Sequence, residues 1–306
     1  MTRTVTADLS LEEQWLRQAV EALAGGIGER NVYCYPKLCE AVAFIEQSFR
    51  HAGYLPKRHE YQARGKSFAN IEAEICGQDS PQEIIVVGAH YDTARGSPGA
   101  NDNGSGVAAL LALARAFINK PSSRSLRFVA FTNEERPFLR TARMGSRVYA
   151  RQCRERADNI RGMLSLETIG YCSEEPGSQW LSFFGALYPS RGDFIVFVTN
   201  PSSKELLKNA TQSFGRQTNI GWQSATLPSF SPGANSSDHW SFWKEGYPAL
   251  MVTDTAPFRY PHYHKRSDTP DKLRYDFLNG VIQGLKEIVW DLANRDVIRK
   301  GATLLR

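Results

Sequence analysis

Acids and imidazoles stand where apolar runs stop. "EIIVVGAH" ends at His90, with Asp92 two residues on; "FTNEE" ends at Glu134 and Glu135; "LSLETIGY" carries Glu167 near its end. "MVTDTAPFRYPHYHKRSDT" runs into His262, His264 and Asp268, and the loop "GANDNGSG" adds Asp102. Carboxylates and imidazoles without thiolates suit zinc, or another borderline first-row metal, in an open catalytic site. The number of carboxylates suggests two metals, one carboxylate bridging both at the ~3.5–4 Å of two-metal hydrolases. Adjacent residues at a strand end point to opposite sides, so one of Glu134 and Glu135 can bind metal while the other serves as a general base. Taken singly, each residue has a plainer reading. Asp102 would cap the helix that follows, Glu167 would be a solvated turn acid, and His262 and His264 would lie on a surface loop. Their joint occurrence at independent strand ends is what points to a metal hydrolase.

The same region allows a second chemistry. Gly104-Ser105-Gly106-Val107-Ala108-Ala109 fits a G-x-G-x-x-A dinucleotide fingerprint. Those glycines should follow the strand directly, yet residues 91–103 intervene, and Asp92 and Asp102 would repel a pyrophosphate. No P-loop lysine follows, so nucleotide binding is set aside.

Strands must present these ends. "FANIEAEICG", "EIIVVGAH", "LRFVAFTNEE", "GMLSLETIGY", "FIVFVTN" and "PALMVTDTA" read as strands. Helices are expected after a Ser10/Glu13 capping box, weakening at Gly25-Gly26, and over about 38–50, 104–118, 143–156, 202–214 and 271–293. Strands alternating with helices predict an α/β fold: a three-layer α/β/α sandwich around a mostly parallel mixed sheet. Its sites should lie at the carboxyl ends of the strands. Gly215 to Ser237, with Pro228, Pro232 and Gly233, reads as a long loop of the kind that borders a site. No linker is visible, so residues 1–306 are read as one domain.

The bulk composition is ordinary: 42% hydrophobic and 23% charged, with a net charge of +5 and no Lys/Arg block. Neither a nucleic-acid nor a membrane partner is expected from that charge. Five cysteines without framework spacing predict reduced, mostly packed thiols. The N-terminus has no apolar core of signal-peptide length, so the expectation is a soluble cytoplasmic chain, or a secreted or periplasmic one had a leader been removed.

"GAHYDT", "PGANDNGSGVAALLALAR", "FTNEERPF", "MLSLETIGY", "SDHWSFW" with "GYPALMVTDT", and "YHKRSDTPDKL" resemble the co-catalytic zinc exopeptidases. That family comprises bacterial leucyl aminopeptidases, aminopeptidase Y and glutamate carboxypeptidase. The resemblance spans about residues 68–290, in the family's order, and is nearest to a bacterial group with Glu in the "LET" position. It implies two Zn²⁺ per chain, with Co²⁺ or Mn²⁺ as substitutes. His90 and Glu167 would bind one, Glu135 and His264 the other, and Asp102 would bridge. Glu134 would be the general base and then the proton donor. Asp92 would orient His90, and Asp238 and Asp268 would be supporting acids. The implied reaction is removal of the N-terminal residue of a peptide, and the resemblance also implies a cis Asp102–Asn103 peptide.

Two other functions stay in view. Glutaminyl cyclases resemble this family and use a single zinc; binding modules such as the transferrin receptor ectodomain resemble the fold and have lost chemistry. Intact ligand positions favour hydrolysis over both. His239 is assigned to packing or to the substrate side. Tyr171, Trp222, Phe230, Phe258, Tyr260 and Tyr263 are candidates for an apolar side-chain pocket, with core packing the plainer reading for each. Substrate side chain, physiological metal and oligomeric state are not legible.

Overall fold

The computed structural model describes residues 9–180, 189–231 and 233–304, with side chains up to residue 294. Pro232 therefore lies outside the described residues. Among the described residues eight strands form one sheet: β1 (Lys57–Ala63), β2 (Lys66–Ile75), β3 (Ser80–His90), β4 (Arg124–Phe131), β5 (Asn159–Glu167), β6 (Phe194–Thr199), β7 (Gly221–Thr226) and β8 (Ala249–Thr253). Their spatial order is β1-β2-β4-β3-β5-β8-β6-β7. The four central strands β4, β3, β5 and β8 are mutually parallel, while β1, β2 and the β8–β6 pairing are antiparallel. The expected mostly parallel mixed sheet is thus observed.

Burial explains why the central strands read so clearly. Ile85, Val87 and Ala89 of β3 face one core, together with α1 (Leu11–Val20), α2 (Tyr35–His51), α3 (Gly106–Phe117), α5 (Lys204–Phe214) and α7 (Tyr275–Leu304). Ile84 and Val86 face the other, with Tyr149 of α4 (Gly145–Glu155) and Phe242 of α6 (His239–Lys244). Strands covered on both faces are apolar at every position. The two outer strands β1 ("KRHEYQA") and β7 ("GWQSAT") are polar and mostly uncovered, and neither was expected. The predicted long loop at Gly215–Ser237 therefore contains an edge strand, held by six parallel partners along β6.

The Ser10/Glu13 capping box forms, both side chains reaching the partner backbone. Past Val20 the helix widens into a π-helical turn, Glu21–Ile27, over the two glycines. The last helix starts at Tyr275, after a short 3₁₀ turn at Pro270–Lys272, because Pro270 and the extended Leu273 interrupt the expected run. All five cysteines are free. Cys153 and Cys172 are buried, but Cys39 and Cys76 are exposed, so the thiols are less packed than expected. No helix of the described residues is long and apolar enough to cross a membrane.

Candidate metal centre

Parallel pairing brings the strand ends level. His90 of β3 sits beside Phe131 of β4, and Glu167 of β5 beside Thr253 of β8. The chain then leaves the sheet abruptly: Asn133, Thr168, Thr255 and His264 all take positive φ, at 57, 46, 62 and 56°. Left-handed backbone at non-glycine residues is strained and clusters where geometry serves a site. The Asp102–Asn103 peptide is cis, as expected.

Asp102 divides its carboxylate between two histidines. Oδ1 lies 3.4 Å from His90 Nε2, and Oδ2 lies 2.9 Å from His264 Nε2. His90 Nε2 is also 3.3 Å from Glu167 Oε2, and His264 Nε2 is 3.0 Å from Glu135 Oε1. Two clusters result, His90–Asp102–Glu167 and Asp102–Glu135–His264, sharing Asp102, each with its ligand atoms within 4.8 Å of one another. His90 Nε2 and Asp102 Oδ2 are buried yet have no hydrogen-bond partner, despite opposite charges within 2.9–3.4 Å. That is the arrangement of ligands aimed at a common cation, and oxygen plus imidazole donors fit zinc. Metal binding at Nε2 needs that nitrogen deprotonated, so it would displace any proton on His90 Nε2 or His264 Nε2. Burial works to lower the His264 pKa, but contact with Asp102 and Glu135 lifts it to about 10. Asp102, whose burial alone would raise it, is held below the usual carboxylate range by the two histidines.

The supporting acids each do something specific. His90 Nδ1 lies 3.1 Å from the main-chain oxygen of Asp92, which accepts its proton and leaves Nε2 for the centre. Asp92 thus contacts the ring as expected, its carboxylate Oδ1 standing 3.6 Å from the same Nδ1, and that carboxylate also accepts the backbone N–H groups of Glu134 (3.0 Å) and Glu135 (3.1 Å). Asp268 accepts the N–H groups of Asn101 (2.8 Å) and Asp102 (3.2 Å) and the Tyr260 hydroxyl (2.7 Å). Asp238 is fully buried with neither oxygen hydrogen-bonded, and burial pushes its carboxyl up to about 7.

Glu134 has the environment of a proton carrier. Its Oε1 is buried without a partner. Burial holds its pKa well above the usual range; His90 opposes this, and Glu135, Glu167 and Asp238 add to it.

Several positions escaped sequence reading. The Ser237 hydroxyl donates to Glu167 Oε2 at 2.7 Å. Asn101 links Asp254 (2.9 Å) to the Gly170 amide (2.9 Å). Asn103 joins Leu166 O (2.8 Å) to the Gly106 amide (3.1 Å). The signal available was their place inside "GANDNGSG" and "SSDHW", next to residues already singled out. Gly99 and Gly106 make the packing possible: an added Cβ would lie 2.4 Å from Thr93 Cγ2 and 2.3 Å from Asn103 Oδ1 respectively.

His239 is a packed residue, Nε2 2.7 Å from Ala234 O and the ring edge-on to Trp243. Tyr263 stacks on His264 with centroids 3.9 Å apart, and Tyr171 lies against Tyr260. Trp222 packs on Phe197 of β6, while Phe230 is 85% exposed; Phe258 is half-buried. His262 bonds Ser267 Oγ at 2.8 Å and takes no part in either cluster.

The profile of peptidase family M28 matches residues 70–289, which is most of the chain and every residue of the centre. The chain belongs to peptidase family M28. An Escherichia coli K12 protein, YfbL, described as uncharacterized, is 33% identical to this M28 chain over 286 residues, 90% of this chain and 87% of that one. Leucine aminopeptidase 1 of Arthroderma otae is 26% identical over 271 residues, 82% of this chain and 65% of its own length. In fold, the M28 chain is similar to a zinc aminopeptidase from Bacillus subtilis, with a TM-score of 0.74 at 16% identity, over 95% of this chain and 97% of that one. It is also similar to a glutaminyl cyclase from Fimbriiglobus ruber, with a TM-score of 0.68 at 19% identity, over 94% and 99%.

Proposed function

We propose that the chain is a two-zinc aminopeptidase that hydrolyses the N-terminal peptide bond of peptides, acting as one catalytic domain. The observation that carries the reading is Asp102, whose two oxygens face two separate histidine–carboxylate pairs. In this reading His90, Glu167 and Asp102 hold one ion and Asp102, Glu135 and His264 the other. Zinc, when bound, supplies Lewis acidity toward water and toward the carbonyl under attack.

The chain's own residues supply the rest. Glu134, in its water-poor setting, takes the proton from the attacking water and passes it to the departing amine. A carboxyl whose pKa burial raises well above the usual carboxylate range suits both halves of that transfer. Asp92 and Asp268 fix the backbone of Glu134, Glu135 and Asp102, so the ligand atoms need not reorganise.

The fold likeness to glutaminyl cyclases supports a second reading, cyclisation of an N-terminal glutamine at one zinc. A panel of aminoacyl-anilides, short peptides and Gln-peptides separates the two, run with zinc, cobalt or manganese and with chelator. Hydrolysis abolished by chelator and restored by metal is expected. Pyroglutamate release, with about one zinc per chain, would replace the aminopeptidase reading by the cyclase one.

A further inference from the structure

Arg30 lies ahead of the span matched by the family, which begins at residue 70. It is completely buried. Among the described residues its guanidinium is hydrogen-bonded to carbonyls and to no carboxylate. Nε donates to Tyr91 O (2.6 Å); Nη1 donates to Leu23 O (3.3 Å), Gly28 O (3.1 Å) and Pro98 O (2.6 Å); Nη2 donates to Gly99 O (3.0 Å). Its backbone N–H also donates to Thr93 Oγ1 (3.1 Å), and its own carbonyl accepts from the Thr93 N–H (3.0 Å). The acceptors come from two segments, the π-helical turn ending at Gly28 and the loop from Tyr91 to Gly99. That loop joins His90 to Asp102.

A buried charge without an acidic partner is costly and persists where many other contacts compensate. Only a planar fork of five donors can serve so many carbonyls at once. Burial lowers the Arg30 pKa to about 10, against the pull of Asp268, Asp92 and Asp102, so it remains a cation at neutral pH. Gly99 O is the critical acceptor: it takes Arg30 Nη2 and also the Gly104 amide (3.0 Å), closing the turn that carries Asp102. Gly99 itself stands at φ 66°.

We infer that Arg30 is a positioning residue for the metal centre: it sets the 91–99 loop so that Asp102 faces both His90 and His264, making the N-terminal segment part of the site. This rests on the two-metal reading. A residue that merely stabilised the fold would change the melting temperature and leave zinc affinity alone.

The test measures zinc binding to the metal-free full chain by calorimetry, beside Arg30→Lys, which keeps the charge and loses the fork. Circular dichroism checks folding. A folded Arg30→Lys chain with zinc affinity weakened on the order of tenfold or more is expected. In parallel, hydrogen exchange on the unaltered chain should show zinc protecting amides of residues 20–31 together with those of 91–104. Folded Arg30→Lys with affinity within twofold of the parent would overturn the inference. So would zinc protection that stops at 91–104, and that measurement decides alone if Arg30→Lys does not fold. A parent chain that binds no zinc refutes the metal centre itself, a result distinct from either.

Discussion

The backbone N–H of Glu134 donates to Asp92 Oδ1 at 3.0 Å. That bond ties the segment after β4 to the segment after β3, and Asp92 Oδ2 repeats the tie at Glu135. Asp92 also holds the His90 ring through its main-chain oxygen. One residue thus registers His90, Glu134 and Glu135 against one another. Asp92→Asn turns one acceptor oxygen into a donor facing a buried N–H. Zinc affinity should fall by ~10–100-fold. Stability should fall by about 1–3 kcal/mol. Calorimetric titration and urea unfolding read these two effects, and a variant equal to the parent in both would remove Asp92 from this role.

Glu134→Gln keeps the shape of a side chain that belongs to neither ligand cluster. Bound metal per chain should be unchanged while kcat drops by ~10²–10⁴-fold. Metal analysis beside steady-state kinetics makes the comparison. Parental turnover would end the proton-carrier assignment.

The parent should bind two zinc ions per chain, and His264→Ala about one, because only the Asp102–Glu135–His264 cluster is opened. Asp102→Ala should lose both, since Asp102 serves each cluster. Inductively coupled plasma analysis of dialysed protein measures this directly. Full retention of two ions in Asp102→Ala would contradict the bridge.

His239 gives a pH signature apart from the centre. Burial lowers its pKa to about 4. An unfolded histidine titrates near ~6.5. Above that pH both states are neutral, and the residue makes no pH-dependent difference. As pH falls from 6.5 toward 4, the unfolded chain takes up a proton that the folded chain refuses, so stability declines. The loss from this group totals about 3 kcal/mol. His239→Gln, which retains a donor toward Ala234 O, should flatten the decline between pH 6.5 and 4. Unfolding free energies of the two proteins across that range, subtracted, give the result; parallel curves would exclude the effect.

The centre was legible because its residues are chemically conspicuous and sit at the ends of strands that are apolar throughout. His90, Glu134, Glu135 and Glu167 could be found that way. Choosing His264 over His262 needed the family resemblance, since both stand in the same loop. β1 and β7 escaped because an edge strand buries little, and its polar side chains leave no apolar period to read. Asn101, Asn103, Ser237 and Arg30 escaped because their partners are mostly main-chain atoms or side chains far along the chain, and a hydrogen bond to a distant partner leaves no local pattern.

The sequence by itself determined the alternation of the buried strands and helices, the apolar strands that must lie at the centre of a sheet, and the set of side chains able to hold a metal. Periodicity and residue type are local properties, and they carry that much. Only the tertiary structure decided how those side chains meet. It aligned β4, β3, β5 and β8 in parallel register, turned the two oxygens of Asp102 toward different histidines, and brought Arg30 behind the loop that carries Asp102. The reason is physical: a ligand set is a relation among backbone segments far apart in the chain, fixed by packing and by buried hydrogen bonds that form only when the sheet is assembled.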